Sequence, residues 1–379
     1  MSAPQTTPEP AAGHEPARAK VDPRGAAWLP EVTTTVLAIV LAILVGAVLI
    51  AATSGPGEIL PSYGALLKGA FGGPDAIAGT LVRAAPLICA ALGVALAFRA
   101  GLFNIGAQGQ LAVGALCAIY VSFRLDAPGV VHIPAVLLAG IAGGALFGFV
   151  AGFLKARTGA HEVITTIMLN NIATRAIVPF VLAREAFQRP GSDESLTPVP
   201  QDSARFWSFG SLHVGVFLAL LAALFVWWLV ERSKLGFELR AVGANPEAAR
   251  TAGMSVARVT TVAMVLAGGL AGLGATMNIM GKGDPVSDTA FGTIGFDAIT
   301  VALLGRASPL GTVLAGVLFA GLSEGGSQMQ IDVGTPAQLS SVIQALIVLF
   351  VAAPMLVRGL ARLKKHEGGS TVLAKGWGA

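Results

Sequence analysis

The sequence predicts an all-α, polytopic integral membrane protein with about ten transmembrane helices, and three observations carry that prediction. Hydrophobic residues make up 54% of the 379 positions and charged residues only 12%. That is about half the charged share of a soluble globular chain, too little to cover a water-facing surface. Mean hydropathy is +0.73. Ten apolar runs approach the roughly 20 residues that a helix needs to cross a bilayer core. Finally, the basic residues alternate in density between the connections, as the positive-inside rule requires. The same figures exclude a disordered chain, a nucleic-acid-binding protein and an ordinary soluble enzyme. The formal net charge of +4 is small. Cys89 and Cys117 both sit in apolar runs, which excludes a disulfide scaffold or a cysteine-ligated zinc and leaves two small buried hydrophobes.

Residues 1–32 are rich in Pro, Ala and Glu without apolar periodicity, so they read as a disordered tail. No short basic start leads into a 7–15-residue apolar core, so this is not a signal peptide. The apolar runs are 33–53, 78–98, 106–123, 131–154, 162–183, 212–230, 258–280, 290–305, 309–326 and 338–356, within a membrane domain of 33–357. The third and eighth are short and polar for their length and read as broken or partly re-entrant. Residues 358–379 form a C-terminal tail. With both termini in the cytoplasm, seventeen of the 25 Lys and Arg fall on inner segments and six on outer ones. Arg83 and Arg175 lie within spans, and Arg83, near the outer end of its span, is expected to snorkel to the headgroups. The polar loop 184–211, with Pro190, Asp193 and Glu194, falls outside, and the mixed-charge loop 231–257 falls inside.

Gly140, Gly144, Gly148 and Gly152 recur every four residues on the fourth span, and Gly268 and Gly272 repeat that spacing on the seventh. Small residues at i, i+4 let helices approach closely in lipid. Packing within the chain is the preferred reading over a dimerisation face, because ten helices make many internal interfaces.

Signatures of catalysis are missing. There is no phosphate loop of the G-x-x-x-x-G-K-[ST] type, no H-E-x-x-H pair and no G-x-S-x-G elbow. Polar groups at membrane depth are functional candidates by default. Glu162, Thr166 and Asn170 fall at i, i+4, i+8 on one face of the fifth span, with Asn171 beside them. Asn104, Gln108 and Gln110 cluster among Gly101, Gly106 and Gly109, where a helix would loosen beside a passage, and Asp297 sits near the outer end of the eighth span. Each also has a plainer reading as interhelical hydrogen-bonding glue.

The inner loop contains a short helix written out in its caps, at about 244–254. Asn245 is a good N-cap, Pro246 suits the first helical position, Glu247 complements the positive helix end and Gly253 suits the stop. Small Ala248 and Ala249 would let the helix enter a groove closely. The pattern Glu247-Ala248-Ala249…Gly253 resembles the coupling loop of ABC-transporter permeases, whose helix docks on an ATPase subunit. Three further stretches resemble the nucleoside and simple-sugar permeases of that group: Phe98–Gln110 (FRAGLFNIGAQGQ, with Gln108 where Glu is common), His161–Asn171 (HEVITTIMLNN) and Phe296–Arg306 (FDAITVALLGR). The resemblance implies a type II-like importer permease in the bacterial cytoplasmic (inner) membrane. It implies a second permease, an ATPase subunit and an extracytoplasmic binding protein as partners, with ATP and Mg held by the ATPase and no cofactor in this chain. A purine-type nucleoside is the favoured cargo, with ribose-like sugars as the alternative. An ion-driven secondary transporter is less favoured, since no convincing inverted repeat is visible. A membrane-embedded enzyme would need clustered His or acidic residues.

Overall fold

In a computed structural model the described residues are 29–189, 196–287, 290 and 292–352. The two tails largely, and Pro190, Asp193 and Glu194, lie outside them. The helices are α1 (Leu29–Thr53), α2 (Ile59–Phe71), α3 (Pro74–Arg99), α4 (Ala107–Arg124), α5 (Gly129–Thr158), α6 (Glu162–Ile172), α7 (Val178–Leu182), α8 (Gly215–Arg232), α9 (Lys234–Ala244), α10 (Pro246–Thr251), α11 (Val256–Lys282), α12 (Ile294–Leu304), α13 (Pro309–Val333) and α14 (Gln338–Ala352). A π-helical stretch, Ala173–Ile177, joins α6 to α7, and a small antiparallel hairpin pairs β1 (Ser208–Phe209) with β2 (Leu212–His213).

Each of the ten expected runs falls on a helix. Among the described residues seven helices are long and apolar enough to cross a membrane: α1, α3, α5, α6 through α7, α8, α11 and α13. The helices α4, α12 and α14 fall short in length or hydropathy. The chain is thus all-α and polytopic, with full-length spans and shorter helices mixed. The connections sort onto two faces. On one, Gln201 N–H donates to Ser122 O, Thr197 N–H to Val286 O and Phe206 N–H to Met280 O, His132 pairs with Ser203, and Ser211 Oγ donates to Asp75. On the other, Arg99 donates to Ala307 O at 2.9 Å and Lys155 pairs with Glu162 at 2.9 Å. This segregation follows the parity of the connections.

Glycine stripes decide the tightest packing. On α5 and α11 a Cβ at Gly144 or Gly148 would run into the backbone of Gly268 or Met264, and one at Gly272 into Gly140. The two backbones meet directly, so dispersion replaces a hydrophobic driving force that lipid cannot provide. The expected intramolecular role is the one observed. Gly148→Val should therefore part α5 from α11. Expression and detergent thermal stability are expected to fall sharply, and wild-type melting of this variant would refute the close contact.

Four expectations are corrected. The first helix begins at Leu29, so residues 29–32 belong to it rather than to the tail. The outer connection after α1 holds α2, whose Ser62, Ala65, Leu66, Gly69 and Ala70 are buried; its small residues lie against α13 and gave no long apolar run. The inner loop 231–257 is almost all helix, because α9 precedes α10 and is capped by Ser233, whose hydroxyl accepts from Gly236 N–H at 2.9 Å. Finally, Arg83 does not reach for headgroups. It turns across to α13, donating to Glu324 at 2.5 Å and to Ser323 Oγ at 3.3 Å.

Candidate functional site

Two places bring the singled-out residues together, one in the connection between α8 and α11 and one at the starts of α4 and α12. Between α8 and α11, Asn245 caps α10 as its sequence predicts. Its Oδ1 accepts from Glu247 N–H and Ala248 N–H, both at 3.0 Å, which satisfies two of the orphan donors of a helix start. Glu247 pairs with Arg250 at 3.1 Å. At the exit, Gly253 N–H donates to Arg250 O and Met254 N–H to Ala249 O, with Gly253 at φ 83, a left-handed conformation that favours glycine. Asn245, Pro246, Glu247, Ala248, Thr251 and Ala252 are exposed. Ala249 is not: it is 4% exposed and joins the protein's own core. The expectation that both alanines face outward is corrected here. At 3.6 residues per turn, adjacent residues point about 100° apart, and only Ala248 is presented.

At membrane depth the amides cluster where the starts of α4 and α12 meet. The connection 100–106 is non-helical, and α4 starts only at Ala107. The helix α12 has 11 residues and starts at Ile294. Gln108 joins the two starts: its Nε2 donates to Gly292 O at 3.0 Å and its Oε1 accepts from Gly295 N–H at 2.7 Å. Asn170, on α6, holds the same connection from the side. Its Oδ1 accepts from Gly109 N–H at 2.7 Å and its Nδ2 donates to Ile105 O at 2.6 Å. Asn104 and Gln110 close the set, with Asn104 Nδ2 donating to Gln110 Oε1 at 3.0 Å and Asn104 Oδ1 accepting from Gly106 N–H at 2.9 Å. All four amides are at most 6% exposed. Irregular backbone is tolerated at this depth only when protein groups satisfy it, and these four side chains do so. The third expected span is a continuous helix, α4, and the eighth is the short α12, so neither is broken within its length; α4 and α12 meet at their positive dipole ends.

The other predicted residues stand apart from this cluster. Thr166 is buried beside it but bonds back to Glu162 O at 2.7 Å. Glu162 is the first residue of α6, paired with Lys155. Asn171 is exposed and donates to Ile167 O on its own helix. Asp297 accepts from Thr293 Oγ1 at 2.9 Å in the first turn of α12. That is the N-terminal end of the helix, where its place in the eighth span puts it. Sequence reasoning missed α9, which touches both places: α10 follows it directly, and its Gly243 lies against the backbone of Arg99, Ala100 and Gly101. The signal was Ser233 with an amide three residues on, a cap before a run of helix formers. Glu324 was also missed, an acidic residue inside an otherwise apolar span.

Comparison with known proteins adds the following. Residues 76–352 match the family described as branched-chain amino acid transport system / permease component. The chain is 39% identical over 344 residues to the guanosine ABC transporter permease protein NupP of Bacillus subtilis, covering 90% of this chain and 98% of that protein. It is 34% identical to the glucose ABC transporter permease protein TsgB13 of Haloferax volcanii, over 88% and 90% of the two chains. It is also 27% identical to a second guanosine ABC transporter permease protein of Bacillus subtilis, NupQ, over 73% and 85%. No solved structure matches.

Proposed function

The chain belongs to the family of branched-chain amino acid transport system permease components, and from that premise we propose the membrane-spanning subunit of an ATP-driven importer of nucleosides, purine nucleosides first. The near full-length likeness to a guanosine permease carries the reading. In it, this chain supplies one wall of the passage and the docking helix α10, while a separate ATPase subunit holds ATP and Mg and an extracytoplasmic binding protein delivers the solute. A second, homologous permease completes the passage, and the likeness to two guanosine permease proteins of one organism supports a heterodimer. The subunit sits in the cytoplasmic membrane with both termini inside.

The chemistry of this chain fits that division of labour. It offers α10 preorganised by caps, which lowers the ordering cost of docking, and uninterrupted apolar faces on α5 and α8 for lipid, such as Leu138, Leu146, Leu221 and Leu224. A sugar cargo is the second reading, favoured by the likeness to a glucose permease. Uptake of labelled guanosine in cells expressing the chain with its neighbouring transport subunits separates the two. Saturable guanosine uptake, competed by inosine and adenosine but not by a hundredfold excess of glucose or ribose, is expected. Competition by sugars alone would replace the nucleoside reading with the second one.

A further inference from the structure

The outer half of α13 carries a polar stripe. Glu324, Gln328 and Asp332 recur at i, i+4, i+8, so they share one helix face about 6 Å apart. Arg83 of α3 meets Glu324 at 2.5 Å, Ser323 accepts from Arg83 at 3.3 Å, Gln328 donates to Asp332 at 2.7 Å and Lys68 of α2 meets Asp332 at 3.0 Å. Ser327 beside them is exposed. Glu324 lies nine residues below Val333 and Arg83 nine residues below Pro74, each about 13 Å from the outer end of its helix. Yet their side chains remain 31% and 49% exposed.

A charged pair within the spans is stable only if it turns to protein, to a water-filled cavity or to the interface. Arg175, the other basic residue within a span, stands closer to its outer helix end, where its stem reaches the interface. The Arg83 guanidinium is instead committed to Glu324. A dry contact with the second permease would strand its remaining N–H donors and the second carboxylate oxygen of Glu324. The stripe also runs unbroken from the outer surface at Lys68 and Asp332 down to the pair, as the wall of an open channel would. It balances two cations with two carboxylates, so it exerts no net pull on a charged solute while offering alternating donors and acceptors.

We propose that the stripe from Asp332 to Glu324, ending at the Arg83–Glu324 pair, lines the outer half of the passage and handles the hydroxyl groups of an uncharged, polyhydroxylated solute. The inference deepens the importer reading and rests on it. Guanidinium donors and a carboxylate acceptor together match a pair of adjacent hydroxyls, as on a ribose or a hexose.

Two arms test it in the assembled transporter. In the first, Ser327→Cys is placed in a Cys89→Ala/Cys117→Ala chain and exposed to a membrane-impermeant sulfonated thiol reagent from outside. Labelling of the complete complex is expected. Labelling by a lipid-soluble maleimide alone, or by the impermeant reagent only when the second permease is left out, would overturn the assignment as a lipid-facing or a dry surface. In the second arm, Arg83→Gln and Glu324→Gln should each lower uptake at limiting solute at least tenfold with normal co-purification of the partner subunits; undiminished uptake overturns the role of the pair. Absence of guanosine uptake by the wild-type complex would sink the nucleoside reading alone, because the labelling arm does not depend on the solute.

Discussion

Ala248→Trp is expected to abolish solute uptake while leaving the chain inserted and folded. Ala248 is exposed on α10, so an indole there meets only water in the isolated subunit and costs little stability, within about 0.5 kcal/mol for a surface change. If α10 docks into an ATPase subunit through this face, the same indole overlaps the partner. Co-purification of the ATPase should be lost, or survive without solute-stimulated hydrolysis, and uptake should fall at least a hundredfold. Ala249→Trp is a poorer probe, because Ala249 is buried within this chain and its replacement also strains the protein's own packing. Wild-type uptake and ATPase recovery for Ala248→Trp would remove the docking role from α10.

Asn170→Leu should be destabilising above all. The change leaves Gly109 N–H and Ile105 C=O without their partner at membrane depth, at about 1–3 kcal/mol for each orphaned group. The α3–α4 connection then loses its anchor on α6, and Gln108, one residue before Gly109, loses its fixed reach to Gly292 and Gly295. A large drop in detergent melting temperature together with lost uptake is expected. Asn171→Leu, on an exposed position, should change melting by far less. Lost uptake with unchanged melting would mean that Asn170 touches solute instead of bracing backbone.

Much of this was legible along the chain. Apolar run length placed a helix at each of the ten expected positions, since the bilayer demands length and hydropathy that survive in one dimension. The short helix α10 was legible to its caps, because Asn245, Pro246 and Gly253 act within a few residues of themselves. The break before α4 was visible as glycines among amides. Less visible were α2 and α9, whose short amphipathic or mixed-charge stretches gain their order from neighbours distant in sequence: Ser62 against Thr335, Gly243 against Gly101. The loose pairing of Glu162 with Thr166 and Asn170 was a periodicity without a shared task, since Lys155 claims the carboxylate.

By itself, then, the sequence determined a polytopic helical membrane protein, the capped helix α10 and the loosened, amide-rich connection before α4. These follow from the solvent and from local backbone chemistry, which act residue by residue. Only the tertiary structure decided which alanine of α10 faces outward, that the membrane amides spend their hydrogen bonds on the starts of α4 and α12, and that Arg83 answers Glu324. Those outcomes depend on side chains far apart in the chain arriving within about 3 Å of each other, and spacing along one helix carries no information about the residue that waits on another.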